Sequence, residues 1–140
     1  MQSYTFKGIM FDVPEGNEID DSKDEIFIIY TSAYPKVKDN ITITFADAAT
    51  PDDYTEEKLE VLLRDSEPGF QNLISRENNI WRGQEALNVY YTVSDGAVEE
   101  DKYLMVFFGE DLTYFFFFTE KSWDSGDEFI ITLESISPAN

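Results

Sequence analysis

The sequence predicts an α+β fold, an α/β/α sandwich with a mostly antiparallel sheet and helices packed on it. Most apolar segments are short, and they either alternate with polar residues or run continuously, as β-strands do. Two other segments carry apolar residues at helical spacing. The 140 residues are 42% hydrophobic and 16% aromatic, which is enough to form one core. We therefore expect a single domain over residues 1–140.

The first segment predicts a tight β-hairpin, with a single bent strand as the alternative. Residues 4–14 alternate apolar and polar side chains on either side of Lys7-Gly8, a dipeptide suited to a tight turn, and Pro14 ends the pair. The acidic residues 17–25 then predict a loop.

Two single strands are predicted next. Residues 26–30 are continuously apolar, which is typical of a strand covered on both faces, so we expect this strand to be central. Residues 40–46 alternate, with isoleucine and phenylalanine on one side and threonine on the other. One face of that strand is expected to be buried.

A first amphipathic helix is predicted after Thr50. The threonine can cap free amides, Pro51 suits the first turn, and two aspartates follow at the positive end of the helix dipole. Pro68-Gly69 ends this helix. Its apolar side is expected to contain Leu59, Leu62 and Leu63.

A second helix is predicted at the C-terminus, beginning near Ser122 or Ser125. Ser125 and Glu128 have the spacing of a capping box, and the helix is expected to end before Pro138. Its apolar positions are Phe129, Leu133 and Ile136.

Two antiparallel pairs are predicted between the helices. Residues 70–77 and 84–93 flank a turn that contains Trp81. Residues 103–108 and 112–119 are joined by a short turn containing glycine. The second strand of this pair contains five consecutive aromatic residues, so we expect it to be buried on both faces.

Composition excludes several classes of function. The chain contains no histidine and no cysteine, which excludes Ser-His-Asp and Cys-His catalysis, disulfides, iron–sulfur clusters and zinc sites built on those residues. Its net charge of -19 opposes binding to nucleic acids and anionic membranes. A membrane span needs about 20 apolar residues, and no segment contains such a run. We expect no cofactor, no insertion into a membrane, and a partner that is neutral, cationic or apolar.

The order of these patterns resembles the PsbP-like and DcrB-like family. The resemblance spans nearly the whole chain: the opening hairpin of residues 4–16, the strand at 40–45, the helix after Thr50, the stretch 82–86 ahead of a strand, and the final helix with residues 133–136. The chain departs from the family at Asn17, where tryptophan is frequent. The resemblance implies an α/β/α sandwich used for binding or assembly rather than catalysis.

Members of that family include photosystem II extrinsic subunits, yeast Ran-binding proteins, bacterial surface lipoproteins and Eag-type chaperones of type VI secretion. The leading hypothesis is the non-enzymatic, soluble domain of a bacterial extracytoplasmic or surface-anchored protein. The alternative is a cytoplasmic chaperone of the Eag kind, which predicts a homodimer and an apolar groove. A third hypothesis, an acid-dependent hydrolase, predicts a cleft containing a carboxyl group with a raised pKa.

Six residues are candidates for binding a protein partner or an apolar ligand. Trp81 and Arg82 are residue types enriched at binding hot spots, and they fall in a predicted turn. The aromatic strands offer a further face, which could equally be core. The residues of that face are Tyr103, Met105, Tyr114 and Phe116.

The acidic segments are candidates for a weak cation site. Asp20, Asp21 and Asp24 lie in an acidic run, but the run lacks the glycine and the terminal glutamate of an EF-hand loop. A solvated acidic segment is the alternative interpretation. We predict no metal site from this pattern, and calcium binding by these segments stays open.

Overall fold

The computed structural model describes residues 1–32, 34–35, 38–81, 83–120 and 125–138. Within them lie two α-helices, α1 (Glu56–Ser66) and α2 (Ser125–Glu134), and a short 3-10 turn at Pro51–Asp53. The described strands are β1 (Gln2–Phe6), β2 (Ile9–Val13), β3 (Glu18–Lys23), β4 (Ile26–Tyr30), β5 (Asn40–Asp47), β6 (Phe70–Trp81), β7 (Gln84–Ser94), β8 (Glu99–Phe108), β9 (Leu112–Thr119) and β10 (Ser137–Pro138). The predicted α+β class with a mostly antiparallel sheet is confirmed.

The chain divides into two compact units. The first comprises Met1–Thr42 and Phe118–Asn140, and the second comprises Ile43–Phe117. The boundary passes through β5 and β9. The single domain expected from the length of the chain stays a prediction.

The first unit contains the predicted hairpin, which is confirmed. β1 and β2 pair antiparallel with Phe6 opposite Ile9, and the turn between them is a two-residue connection in which Lys7 and Gly8 both have positive φ. Such a turn matches the twist of paired strands. The core of this unit gathers around the Phe27 ring, whose centroid lies 5.2 Å from that of Phe11.

The predicted acidic loop at residues 17–25 is wrong, because most of it forms β3. This strand pairs antiparallel with β4, with Glu18 opposite Tyr30, and of its six side chains only Ile19 is half-buried. The apolar alternation that identifies a strand in a sequence is therefore missing, since backbone pairing with β4 holds the segment while its acids stay in solvent.

The strand predicted at residues 26–30 is confirmed as β4, which lies between β3 and β5. Phe27 and Ile29 are buried, whereas Ile26, Ile28 and Tyr30 are half-buried. One face of β4 is thus fully covered and the other only partly, and the strand is next to the sheet edge rather than central.

The C-terminal helix is confirmed as α2, but it ends at Glu134. Ile136 is buried beyond the end of the helix, because the chain leaves α2 to form β10 beside β2. The side chain of Ser125 lies outside the described residues, so its predicted cap is not described. Glu128 accepts hydrogen bonds from the backbone N–H and the hydroxyl of Ser32, at 3.0 and 3.1 Å.

In the second unit the strand order is β5-β9-β8-β7-β6, and α1 packs on one side of these strands. Both predicted antiparallel pairs are confirmed as strands, although β8 begins earlier than expected, at Glu99. The five consecutive aromatic residues of β9 are all buried. The core against α1 contains Leu59, Leu63, Leu87, Val89, Tyr91, Leu104, Val106, Phe108, Phe115 and Phe117.

Gly69 connects α1 to β6, at the point where the sequence predicted the end of the helix. Its φ is +81°, and its carbonyl accepts a hydrogen bond from the Ser94 amide at 2.8 Å. A Cβ at this position would collide with the Ser94 carbonyl. Glycine is therefore required both for the left-handed backbone and for the close approach of β7.

The predicted start of α1 at Thr50 is wrong. Thr50 instead begins the 3-10 turn, where its backbone N–H donates to the Asp53 carboxylate at 2.8 Å. The helix is capped by Thr55, whose hydroxyl accepts from the Lys58 amide at 3.2 Å. Both threonines precede acidic residues, so the local pattern does not distinguish a one-turn element from the helix that follows it.

We expect Thr55→Ala to lower the free energy of unfolding by about 1 kcal/mol, because an amide in the first turn of α1 loses its acceptor. Thr50→Ala is the matched control. It removes an exposed hydroxyl contact of 3.3 Å at the 3-10 turn, which is a single short turn, and should cost less than half as much. Urea denaturation followed by circular dichroism measures both values, and a larger loss for Thr50→Ala would contradict this assignment of the caps.

Candidate binding surface

Three of the six residues predicted to bind a partner lie in the core. Met105, Tyr114 and Phe116 are 1%, 5% and 0% exposed. These side chains are not accessible to a partner in this structure, so the open aromatic groove expected on this face is absent at these positions. The alternative interpretation, that the aromatic strands form core, is the one that the structure shows.

Tyr103 remains partly accessible on the face of the sheet that is opposite to α1. Its ring packs on that of Tyr90, with centroids 5.0 Å apart, and its hydroxyl donates to Asn88 Oδ1 at 2.8 Å. Burial raises the pKa of Tyr103 to about 12, and the neighbouring Tyr90 and Glu77 add to the rise. Tyr103 is therefore a neutral phenol at physiological pH, held as a hydrogen-bond donor.

Trp81 was expected in a turn, and this expectation is wrong. It is the last residue of β6, pairs with Gln84 and is half-buried. Arg82 lies outside the described residues. Trp81 faces the same side of the sheet as Tyr90 and Tyr103, because directly paired residues share a face and successive residues alternate.

The structure brings together a different set of residues, from the 3-10 turn, β6 and β7. They line an open groove of about 820 Å³, which we call the β6 groove. Its described lining residues are Thr50, Pro51, Asp52, Asn78, Asn79, Ile80, Glu85 and Ala86. Ile80 is 70% exposed, the most exposed large apolar side chain among the described residues.

Arg76 fixes one wall of the β6 groove. Its Nε donates to the Tyr54 carbonyl at 2.6 Å, and one terminal nitrogen donates to the Pro51 carbonyl at 2.7 Å. Charge-assisted hydrogen bonds of this length are among the stronger ones in proteins. Arg76 thereby ties the 3-10 turn to β6, so the wall containing Thr50, Pro51 and Asp52 is held against the strand.

Sequence reasoning missed the β6 groove, because its walls come from segments about 30 residues apart that only the folded chain brings together, in part through Arg76. One signal was present in the sequence. Ile80 follows two asparagines and precedes Trp81, which breaks the alternation expected of a strand with one covered face.

A buried ionic group lies beneath the end of α1. Lys102 Nζ lies 3.1 and 3.0 Å from the two oxygens of Glu67, and the Tyr91 hydroxyl donates to the same carboxylate at 3.0 Å. The two charged side chains are only 14% and 12% exposed. Burial first, and then the Glu67 charge, raises the pKa of Tyr91. This group joins the end of α1 to the sheet.

The described acidic residues also bear on whether a metal ion could bind. In the part of the chain that the structure describes, no group of three carboxylates is placed to hold a metal ion. Burial, followed by the charge of Asp39, raises the pKa of Glu120, but Glu120 does not line the β6 groove. No helix among the described residues is long and apolar enough to cross a membrane.

Comparison with known proteins shows the fold. No family model and no curated protein matches the sequence. The solution structure of cyanobacterial PsbP (CyanoP) from Synechocystis sp. PCC 6803 is similar, with a TM-score of 0.69 and 19% identity, over 99% of this chain and 92% of that one. A crystal structure from Bacteroides thetaiotaomicron VPI-5482 has a TM-score of 0.57 and 12% identity, over 94% of this chain and 45% of that one.

The α+β class seen above is therefore, more specifically, the PsbP-like fold. This part of the resemblance noted in the sequence is confirmed. The DcrB-like and Eag-type relationships stay predictions, since identities below one fifth describe a shared fold and say nothing of a shared activity.

We expect Glu67→Gln to lower the free energy of unfolding by about 2 to 3 kcal/mol, because it leaves the mostly buried Lys102 ammonium without a countercharge. Glu60→Gln is the matched control. Glu60 faces Arg64 at 3.8 Å on the exposed side of α1, and its loss should cost at most about 0.5 kcal/mol. Chemical denaturation at neutral pH compares the two variants, and equal losses would contradict a structural role for the buried pair.

The raised pKa of Tyr103 predicts a loss of stability at alkaline pH. The folded pKa of about 12 lies above the unfolded value of about 10. The contribution of the neutral phenol is therefore complete below pH 10 and is lost as the pH rises through 12. Ultraviolet titration counts the tyrosines that ionise at each pH. In Tyr103→Phe, the number of phenols that ionise near pH 12 should fall by one. Loss of a phenol titrating near pH 10 would contradict this prediction.

Proposed function

We propose that this chain is a non-enzymatic binding or assembly module that uses the β6 groove to bind a protein partner. The observation that carries the proposal is the exposed Ile80 within a groove whose wall is fixed by Arg76. A free isoleucine in a concave, preformed site gains on binding by leaving water. Because the wall is already held in place, little ordering remains to be done when the partner binds.

The composition of the β6 groove supports a protein partner. Ile80 and Pro51 supply apolar surface, while Asn78, Asn79 and Thr50 surround it with donors and acceptors. An apolar centre with a polar rim is typical of protein interfaces.

The chemistry of the groove favours binding over catalysis. Its two acids, Asp52 and Glu85, are exposed, whereas a carboxyl group that donates a proton near neutral pH is usually shielded from water. The chain also has no histidine or cysteine to act as a base or nucleophile. The hydrolase hypothesis thus has no supporting arrangement in this groove.

We place the module outside the cytoplasm of a bacterium, presented on a surface or anchored to a membrane. This rests on the resemblance to bacterial surface domains and on the large negative charge, which keeps a protein dispersed and discourages anionic partners. The Eag-type alternative requires an accessible apolar face on the aromatic strands, and the burial of Met105 and Phe116 gives it no support. Fractionation of the native organism with an antibody to this domain tests the location, and recovery in the cytoplasm alone would contradict it.

The binding proposal predicts that Ile80→Ser weakens a specific complex. The domain is immobilised, proteins are captured from lysate and membrane fractions of the native organism, and the recovered partner is purified for titration calorimetry. We expect saturable binding that falls at least about tenfold in Ile80→Ser, since one well-packed apolar anchor contributes ~2 kcal/mol or more at a hot spot.

Ile130→Ser is the matched control, because Ile130 is 50% exposed on α2 and does not line the β6 groove. Its affinity should stay within twofold of the original, and both variants should melt at the original temperature. Equal affinities for all three proteins would show that the groove is not the binding site. If none of the captured proteins binds the domain after purification, the proposed function itself is overturned.

A further inference from the structure

We propose that the β6 groove accepts an extended, cationic segment of the partner, which adds as a strand to the outer edge of β6. This inference rests on the proposed function and names the chemistry of the partner. Three observations support it. The outer edge of β6 has no neighbouring strand among the described residues, the Ile80 amide on that edge donates to a side chain, and the groove is acidic.

β6 forms one end of the described sheet order, so one side of its backbone has no neighbouring strand among the described residues. Its N-terminal half is irregular, with register shifts between Phe70 and Asn72 and between Leu73 and Ser75. From Ser75 to Trp81 the pairing with β7 continues residue by residue. Bulges discourage pairing at an edge, so only the second half of β6 is suited to receive another strand.

The amide of Ile80 identifies the outward side of this half. It donates to the side-chain oxygen of Asn79 at 2.8 Å, rather than to β7. Since backbone groups alternate along a strand, the amides of Asn78 and Ile80 face away from β7. Asn79 therefore occupies a donor that an added strand would need, and it acts as an internal competitor for that strand.

The charge of the groove specifies the partner. Among its described lining residues Asp52 and Glu85 are acidic and none is basic, and the nearby Arg76 directs its guanidinium to two backbone carbonyls. A second copy of this chain would bring a further net charge of -19 to the same place, which opposes self-pairing. Lysine or arginine alternating with apolar residues would match both the acids and Ile80.

The opposite end of the described sheet order supplies a contrast. β3 also has an unpaired side in the sheet order, but four of its six side chains are charged and only Ile19 is apolar. Charged edge strands resist the addition of another strand. The second half of β6 instead has an exposed isoleucine and asparagine side chains, which are polar but uncharged. The two edge strands therefore differ in the charge of their side chains, which decides whether another strand can be added.

The test uses three eight-residue peptides with blocked ends. The first alternates lysine with valine, the second alternates glutamate with valine, and the third repeats the lysine peptide with alternate backbone nitrogens methylated. Nuclear magnetic resonance of the labelled full chain follows the amides, and calorimetry gives affinities at low salt. We expect the lysine peptide to bind and to shift the Ile80 amide, and we expect both other peptides to bind at least about tenfold more weakly.

Variants of the chain supply the second readout. Asp52→Asn/Glu85→Gln should weaken the lysine peptide about tenfold, whereas Asp24→Asn/Glu25→Gln, with the same change in charge outside the groove, should stay within twofold. Asn79→Ala should strengthen binding about threefold, because it removes the competitor for the Ile80 amide. If the attraction were purely electrostatic, both double variants would lose the same affinity for the lysine peptide, and Asn79→Ala would leave that affinity unchanged.

The two proposals fail separately. If the lysine and methylated peptides bind equally well, or if neither shifts the Ile80 amide, strand addition is overturned. The proposed function then still stands wherever the purified partner loses affinity in Ile80→Ser. If the partner is also unaffected by Ile80→Ser, the groove is excluded for both.

Discussion

The fold depends on the burial of β9, a strand in which five consecutive aromatic side chains are withdrawn from water. Successive side chains of a strand point to opposite faces, so such a run can be satisfied only in the interior of a sheet that is covered on both sides. Each large aromatic side chain contributes ~2 to 3 kcal/mol when buried. An arrangement that left either face of β9 in solvent would forgo this stabilisation.

The second unit also holds polar groups next to this apolar core. Arg76 and the Glu67–Lys102 pair both lie on the α1 side, and both are satisfied by short hydrogen bonds. Burying a charge without a partner costs several kcal/mol, so these contacts are needed to make the burial tolerable. They also have a structural consequence, since each joins an element of the α1 layer to a strand. Arg76 holds the wall of the β6 groove against β6 through its two hydrogen bonds.

Charge and shape act together in the functional proposal. The net charge of -19 opposes binding to anionic partners. The proposed site, the β6 groove, contains two acids and an exposed isoleucine. The long edge of β6 adds backbone donors to the same place. Binding through main-chain hydrogen bonds, with side chains providing selectivity, is a known way for a sheet protein to bind an extended segment.

The sequence by itself determined the α+β class, the hairpin at Lys7-Gly8, the two antiparallel pairs and both helices, because these depend on local periodicity and turn chemistry. For β9 it indicated a buried aromatic strand, although the same local pattern also fits a strand in a binding face. It did not determine β3, whose acidic side chains carry no strand pattern, or the start of α1, where two threonines offer equivalent caps. The tertiary structure alone decided the β6 groove and the burial of Met105, Tyr114 and Phe116. These features depend on which surfaces meet, and an aromatic strand in a binding face has the same local pattern as one in a core.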